Sequence, residues 1–147
     1  MVGRRNGTLV TDDGCQNYLF KEIDIIEGIV DRMASNSFTI KGWTLTLVVG
    51  TLLLGVRPNQ TLIAFIPLAS FWYLDAYYLR KERLYRRLYA WVIQNRLSTH
   101  EHLLSMDTAR VEKEVPSVCE LMRSCSLAWF YGSITFLTLI YWLIAIW

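Results

Sequence analysis

Five cations crowd into eight consecutive positions of this chain: Arg80, Lys81, Arg83, Arg86 and Arg87, in a run without Gly or Pro where only Glu82 offsets them locally. On a helix they occupy about two turns, and groups of that type and density do one thing well, which is to hold anions. Helical spacing places Arg80, Arg83 and Arg87 on one face and Leu74, Tyr78, Tyr85, Leu88 and Val92 on another, so the segment can pack against a neighbour and still present charge. Several copies around a symmetry axis would make a strongly positive vestibule. Two blander readings compete with it: the excess of Lys and Arg on cytoplasmic loops, and attraction to anionic lipid headgroups at about 1 kcal/mol per residue.

A few residues upstream stands Asp75, an acid at the end of an apolar stretch. An ionisable group at a membrane edge takes a partner, here Arg80 or a cation on a neighbouring helix, and its role is structural anchoring or a part in conduction and gating. Catalytic patterns are missing. There is no P-loop, no HExxH, no GxSxG and no cysteine with a histidine partner nearby, so neither an enzyme nor a cofactor site is expected. His100 and His102 flank Glu101, but adjacent side chains diverge and two ligands do not hold zinc. Cys15, Cys119 and Cys125 make no even disulfide framework, which fits a reduced cytoplasmic setting.

The elements that must position these groups read as membrane helices. Hydrophobic residues make up 53% of the 147, too many for an ordinary soluble chain of this size, and Phe71-Trp72-Tyr73 and Tyr141-Trp142 look like interfacial belts. The segment MVGRRNGTLVTDDG carries no apolar run after its arginines, so insertion is expected from internal spans, and residues 1 to 16 are expected to form a mobile tail. From Asn17 to Met33, Leu19, Ile23, Ile26, Val30 and Met33 recur at helical spacing, while Glu22, Asp24, Glu27 and Asp31 make the other face acidic. Lipid-bound helices are basic there, so this stripe is expected to meet protein. Ser35-Asn36-Ser37 is expected to break the helix.

A first span follows from Phe38 to Val56, with Lys41 near its entry expected to snorkel toward water. Arg57-Pro58-Asn59-Gln60 reads as a turn, and Thr61 to Tyr78 returns across the bilayer with Pro67 accommodated by neighbouring helices. Continued as a helix to Leu97, it would be about 55 Å long and project well beyond a ~30 Å hydrocarbon core. Residues 98 to 115 read as a mixed-charge connector, Pro116 as the first position of a new helix, and Leu127 to Trp147 as the third span. The expected architecture is an all-α integral membrane protein: a tail and amphipathic cytoplasmic helix over residues 1 to 37, then a three-span domain whose residues 79 to 126 project into the cytoplasm. Residues 79 to 97 carry six basic groups against one acid, which places them inside, with the N-terminus inside and the C-terminus outside.

Thr44, Val48, Thr51 and Gly55 form a small and hydroxylated stripe on the first span; Tyr131, Thr135, Thr138 and Trp142 form one on the third. Such stripes pack helices in lipid or line a pore, so Thr44, Thr51, Asp75, Thr135 and Thr138 are the pore-lining candidates. Three spans cannot enclose a water-filled path alone, so any pore requires an oligomer.

The runs IKGWTLTLVVGTLLL and FWYLDAYYLRKERLYRRLY, with EIDIIEGIVDRMASNSF before them, resemble a group of small bacterial membrane proteins that includes the channel effectors of Hailong-type anti-phage defence. The resemblance covers about residues 17 to 92. It implies a homo-oligomeric, tetrameric ion channel in the bacterial inner membrane, held shut by a nucleic-acid oligomer that a partner nucleotidyltransferase makes. On that reading Arg80, Lys81, Arg83, Arg86 and Arg87 bind the anionic oligonucleotide, and Ile23, Asp24, Ile26, Glu27, Val30 and Asp31 form the latch. Two other readings are compatible with the residues: a holin-like former of membrane lesions that needs no ligand, and a non-conducting scaffold that recruits a soluble enzyme through Ile23, Ile26 and Val30.

Overall fold

The computed structural model describes residues 12–54, 62–95 and 104–146, and among these every regular element is helical. The expected turn at Arg57 to Gln60 and the histidines His100 and His102 lie outside the described residues. Helix α1 (Asp12–Leu54) is followed by a single 3₁₀ turn (Leu62–Ala64) that leads into α2 (Phe65–Asn95). A second 3₁₀ segment (Ala109–Glu114) precedes the short α3 (Val118–Met122) and the final α4 (Cys125–Ile146). Three of these helices are long and apolar enough to cross a membrane, and the chain is a membrane protein on that ground. Of the expected tail, residues 1 to 11 lie outside the described residues, and the stretch from Asp12 to Gln16 already belongs to α1.

The expected break at Ser35-Asn36-Ser37 does not occur: α1 runs unbroken for 43 residues, about 65 Å at ~1.5 Å per residue. Serine and asparagine weaken a helix by competing for its backbone bonds, but here the Ser37 hydroxyl is engaged by Asp75 across the helix interface and is not free to compete. Tertiary contact overrides propensity. Pro67 also has a simpler explanation than the expected one. It lies in the first turn of α2, where a missing N–H leaves no intrahelical bond unmade.

α1 and α2 form a long antiparallel hairpin with two separate apolar cores. Val48, Leu68, Ala76, Leu127, Tyr131 and Ile134 pack in the half that α4 joins. Ile26, Val30, Leu84, Leu88 and Val92 pack in the distal half, closed by Val111 and Val115 of the connector and flanked by Leu19 and Ile23. Of the stripe read from the sequence, Ile26 and Val30 are therefore buried within the chain against α2, and Leu19 and Ile23 are partly covered. Around the first core the outward faces stay apolar, with Leu53 81%, Trp129 75% and Phe136 64% exposed, as lipid-facing side chains are.

Pro116 does not open a helix; Ser117 caps α3 and Pro116 precedes the cap. Ser117 accepts from the Glu120 backbone N–H while the Glu120 carboxylate accepts from the Ser117 N–H at 2.7 Å, a reciprocal capping box. Those bonds, the backbone one first, hold the Glu120 carboxyl below its ordinary range. Its contribution to local stability is therefore present above the unfolded carboxylate's pKa and lost as pH falls through the lower folded value. Ser117→Ala is expected to speed hydrogen exchange of the α3 amides about 5-fold at neutral pH, and in wild type the same amides are expected to exchange faster, after correction for intrinsic exchange, as the solution is acidified. Equal α3 protection in both proteins at neutral pH would show that the box does not hold the turn.

Candidate functional site

A layer of polar side chains is centred on Asp75, which is fully buried beside the first core. Lys41 Nζ lies 2.7 Å from Asp75 Oδ2 and 2.8 Å from Ser37 Oγ, and Ser37 donates its hydroxyl hydrogen to Asp75 Oδ1. From α4, the Tyr131 hydroxyl stands 3.1 Å from Asp75 Oδ2 and 3.2 Å from the Phe71 carbonyl, so its one proton is shared between two acceptors. Both carboxylate oxygens are satisfied, as a buried charge requires. The Tyr131 ring is fixed by stacking on Trp72 at 5.7 Å, and Trp72 is fixed by its indole N–H to the Met122 carbonyl at 3.1 Å.

This arrangement corrects the expectation for Lys41. It turns inward to Asp75 and not out toward water, because α2 presents a buried carboxylate within reach. Of the two partners open to Asp75, the cation is the one on the neighbouring helix. Arg80 goes elsewhere, to Glu112 at 3.1 Å and the Pro116 carbonyl at 3.2 Å, tying α2 to the connector.

The threonines proposed for a pore sit mostly inside the chain. Thr44 and Thr138 are buried and donate to the carbonyls of Ile40 and Ile134 respectively, each at 2.8 Å, while Thr51 and Thr135 are half-buried with their hydroxyls on the Leu47 and Tyr131 carbonyls. All four hydroxyls are thus bonded to a carbonyl of their own helix.

The basic run divides by environment. Arg86 pairs with Glu82 at 2.8 Å one turn away, and Lys81 lies over the Tyr77 ring. Arg83 and Arg87 are exposed and form no ion pair among the described residues. With Arg86 and Ala90 they wall a cleft of about 370 Å³ whose other side is Glu114, Val115 and Pro116. The face that presents cations is thus Arg83, Arg86 and Arg87, and Arg80 has left it for Glu112. On the other flank of α2, a second cleft brings Arg86 and Tyr89 opposite Glu27 and Asp31 of α1.

Of the residues assigned to a latch, Ile26 and Val30 are buried and Ile23 half-buried, whereas Asp24, Glu27 and Asp31 are exposed. Since α1 has no break, this segment has no local hinge at residues 35 to 37. Sequence reasoning missed Ser37 and Tyr131 as partners of Asp75. The only available signal was that Tyr131 is a hydroxyl within an apolar stretch; Ser37, in the polar run Ser35-Asn36-Ser37, offered none. No family model matches this chain, and no curated protein or solved structure matches it either.

Proposed function

We propose that this chain is the subunit of an oligomeric membrane ion channel, an effector of bacterial anti-phage defence whose distal hairpin lies on the cytoplasmic side of the inner membrane. An anionic nucleotide or oligonucleotide bound at its arginines gates the channel. The observation that carries this reading is the division of the basic run: Arg83 and Arg87 have no carboxylate partner among the described residues and face an open cleft. A cluster needed only for topology has no reason to be arranged in this way. The resemblance over residues 17 to 92 supplies the setting, and the six basic groups of residues 79 to 97 support the orientation. The scaffold reading loses its docking stripe, because Ile26 and Val30 are already covered by α2.

The test is flux through liposomes containing the protein, with labelled oligothymidylate as the anion. Oligothymidylate is expected to change wild-type flux and to bind with a steep salt dependence. Arg83→Glu/Arg87→Glu is expected to weaken binding at least about 30-fold, to flatten the salt slope by about two and to abolish the response. A double variant that binds and responds as wild type does would end this reading.

A further inference from the structure

We propose that the distal hairpin is also a contact surface between copies of this chain, in which the acidic row of one α1 meets the arginine row of a neighbouring α2 at the same height above the membrane. The proposal rests on the oligomeric reading above and names the surface that the oligomer uses.

The first row is Asp24, Glu27 and Asp31, three and four residues apart on α1 and all exposed. Asp24 and Asp31 form no ion pair among the described residues. Lys21 and Arg32, also exposed, lie about a quarter turn round the same helix and leave this row acidic. The second row is Arg83 and Arg87. Within the chain Arg86 faces Glu27 and Asp31, and Glu114 lines the cleft of Arg83 and Arg87, yet none of Asp24, Asp31, Arg83 and Arg87 closes an ion pair among the described residues, so each row keeps charge to offer a neighbour.

Register is the independent observation. Ser37 and Lys41 bond Asp75, Glu27 and Tyr89 line one cleft, and Ile26 and Val30 share a core with Leu84 and Leu88. Antiparallel pairing fixed at those points sets Asp31 about level with Arg83 and Glu27 about level with Arg87. Rotation about an axis along the membrane normal preserves height, and the bilayer holds every copy in one orientation at one depth. Copies related by such an axis bring the two rows together without sliding, whereas acid against acid or arginine against arginine would repel. A soluble partner would have to reproduce that height match; a second copy has it by construction.

Exposed pairs are individually weak and screened by salt, so the contact orients subunits that the apolar spans already gather. It also gives the anion a competitor. Arg83 and Arg87 cannot serve a neighbour's carboxylates and a phosphate chain together, so oligothymidylate is expected to loosen this contact.

Two differently tagged proteins test the contact in nanodiscs, one carrying Asp24→Lys/Asp31→Lys and the other Arg83→Glu/Arg87→Glu. Each alone is expected to self-associate at least about 10-fold more weakly than wild type, and the mixture is expected to recover association, since every contact between the two is again complementary. Where a reversed chain fails to fold, chains bearing Asp31→Cys and Arg83→Cys, with the native cysteines replaced by serine, are mixed and oxidised; a disulfide between the two tags is expected. Unchanged self-association of both reversed proteins, no recovery on mixing, or no crosslink would overturn the proposal. The anion reading fails separately. If Arg83→Glu/Arg87→Glu loses oligothymidylate binding but keeps its oligomer, the contact falls and the anion site stands; if it binds as wild type does but loses its oligomer, the anion site falls and the contact stands.

Discussion

Asp75→Ala is expected to destabilise the protein by about 3–5 kcal/mol, the largest effect of any single substitution in the chain. The carboxylate is fully buried and accepts from Ser37, Lys41 and Tyr131, and deleting it leaves three donors facing one another with a partly buried ammonium among them. The cost comes from that stranded charge more than from the lost attraction. Replacing both charges, as in Lys41→Met/Asp75→Leu, is therefore expected to recover most of the stability. Thermal unfolding in detergent micelles, followed by circular dichroism, measures both. The exposed pair Arg86–Glu82, at a similar distance of 2.8 Å, gives the scale for comparison, since i,i+4 pairs in water contribute about 0.3–0.5 kcal/mol. An Asp75→Ala protein that melts within a degree or two of wild type would show that the layer does not hold the three helices together.

Leu88→Ala is the second large effect, about 2–5 kcal/mol, and it is expected to be local. Leu88 is fully buried among Ile26, Val30, Leu84 and Val92, in a core that shares no residue with the one around Tyr131. A cavity there loosens the distal hairpin and leaves the spans packed. Limited proteolysis is expected to cut between residues 17 and 33 much faster in the variant, while hydrogen exchange in α4 stays as in wild type. Equal acceleration in α4 would mean that the two cores open as one unit.

The distal core was legible because its signal is periodic and local. Leu19, Ile23, Ile26 and Val30 recur at helical spacing, and the acidic opposite face favoured protein over anionic lipid as the partner. What the sequence concealed was long-range pairing. Lys41 and Asp75 lie on different helices, and nothing in the local pattern at either position marks the other. Ser35-Asn36-Ser37 misled for the same reason, since its weak helix propensity is outweighed by a bond to a residue 38 positions away. The arginine face was placed from spacing alone, which cannot foresee that Glu112 draws Arg80 aside and leaves Arg86 beside Arg83 and Arg87.

The unbroken α1 has a mechanical consequence. A helix unbroken over 43 residues is a stiff lever, and Lys41, bonded to Asp75, marks its fulcrum. A tilt of ~5° about that point would carry Phe20 through about 3 Å and swing Leu53, at the opposite end, through about 2 Å the other way, at ~1.5 Å of arm per residue. Small sideways pushes on the acidic arm thus reach the other end of the helix as displacements large enough to repack side chains, with no joint required between them.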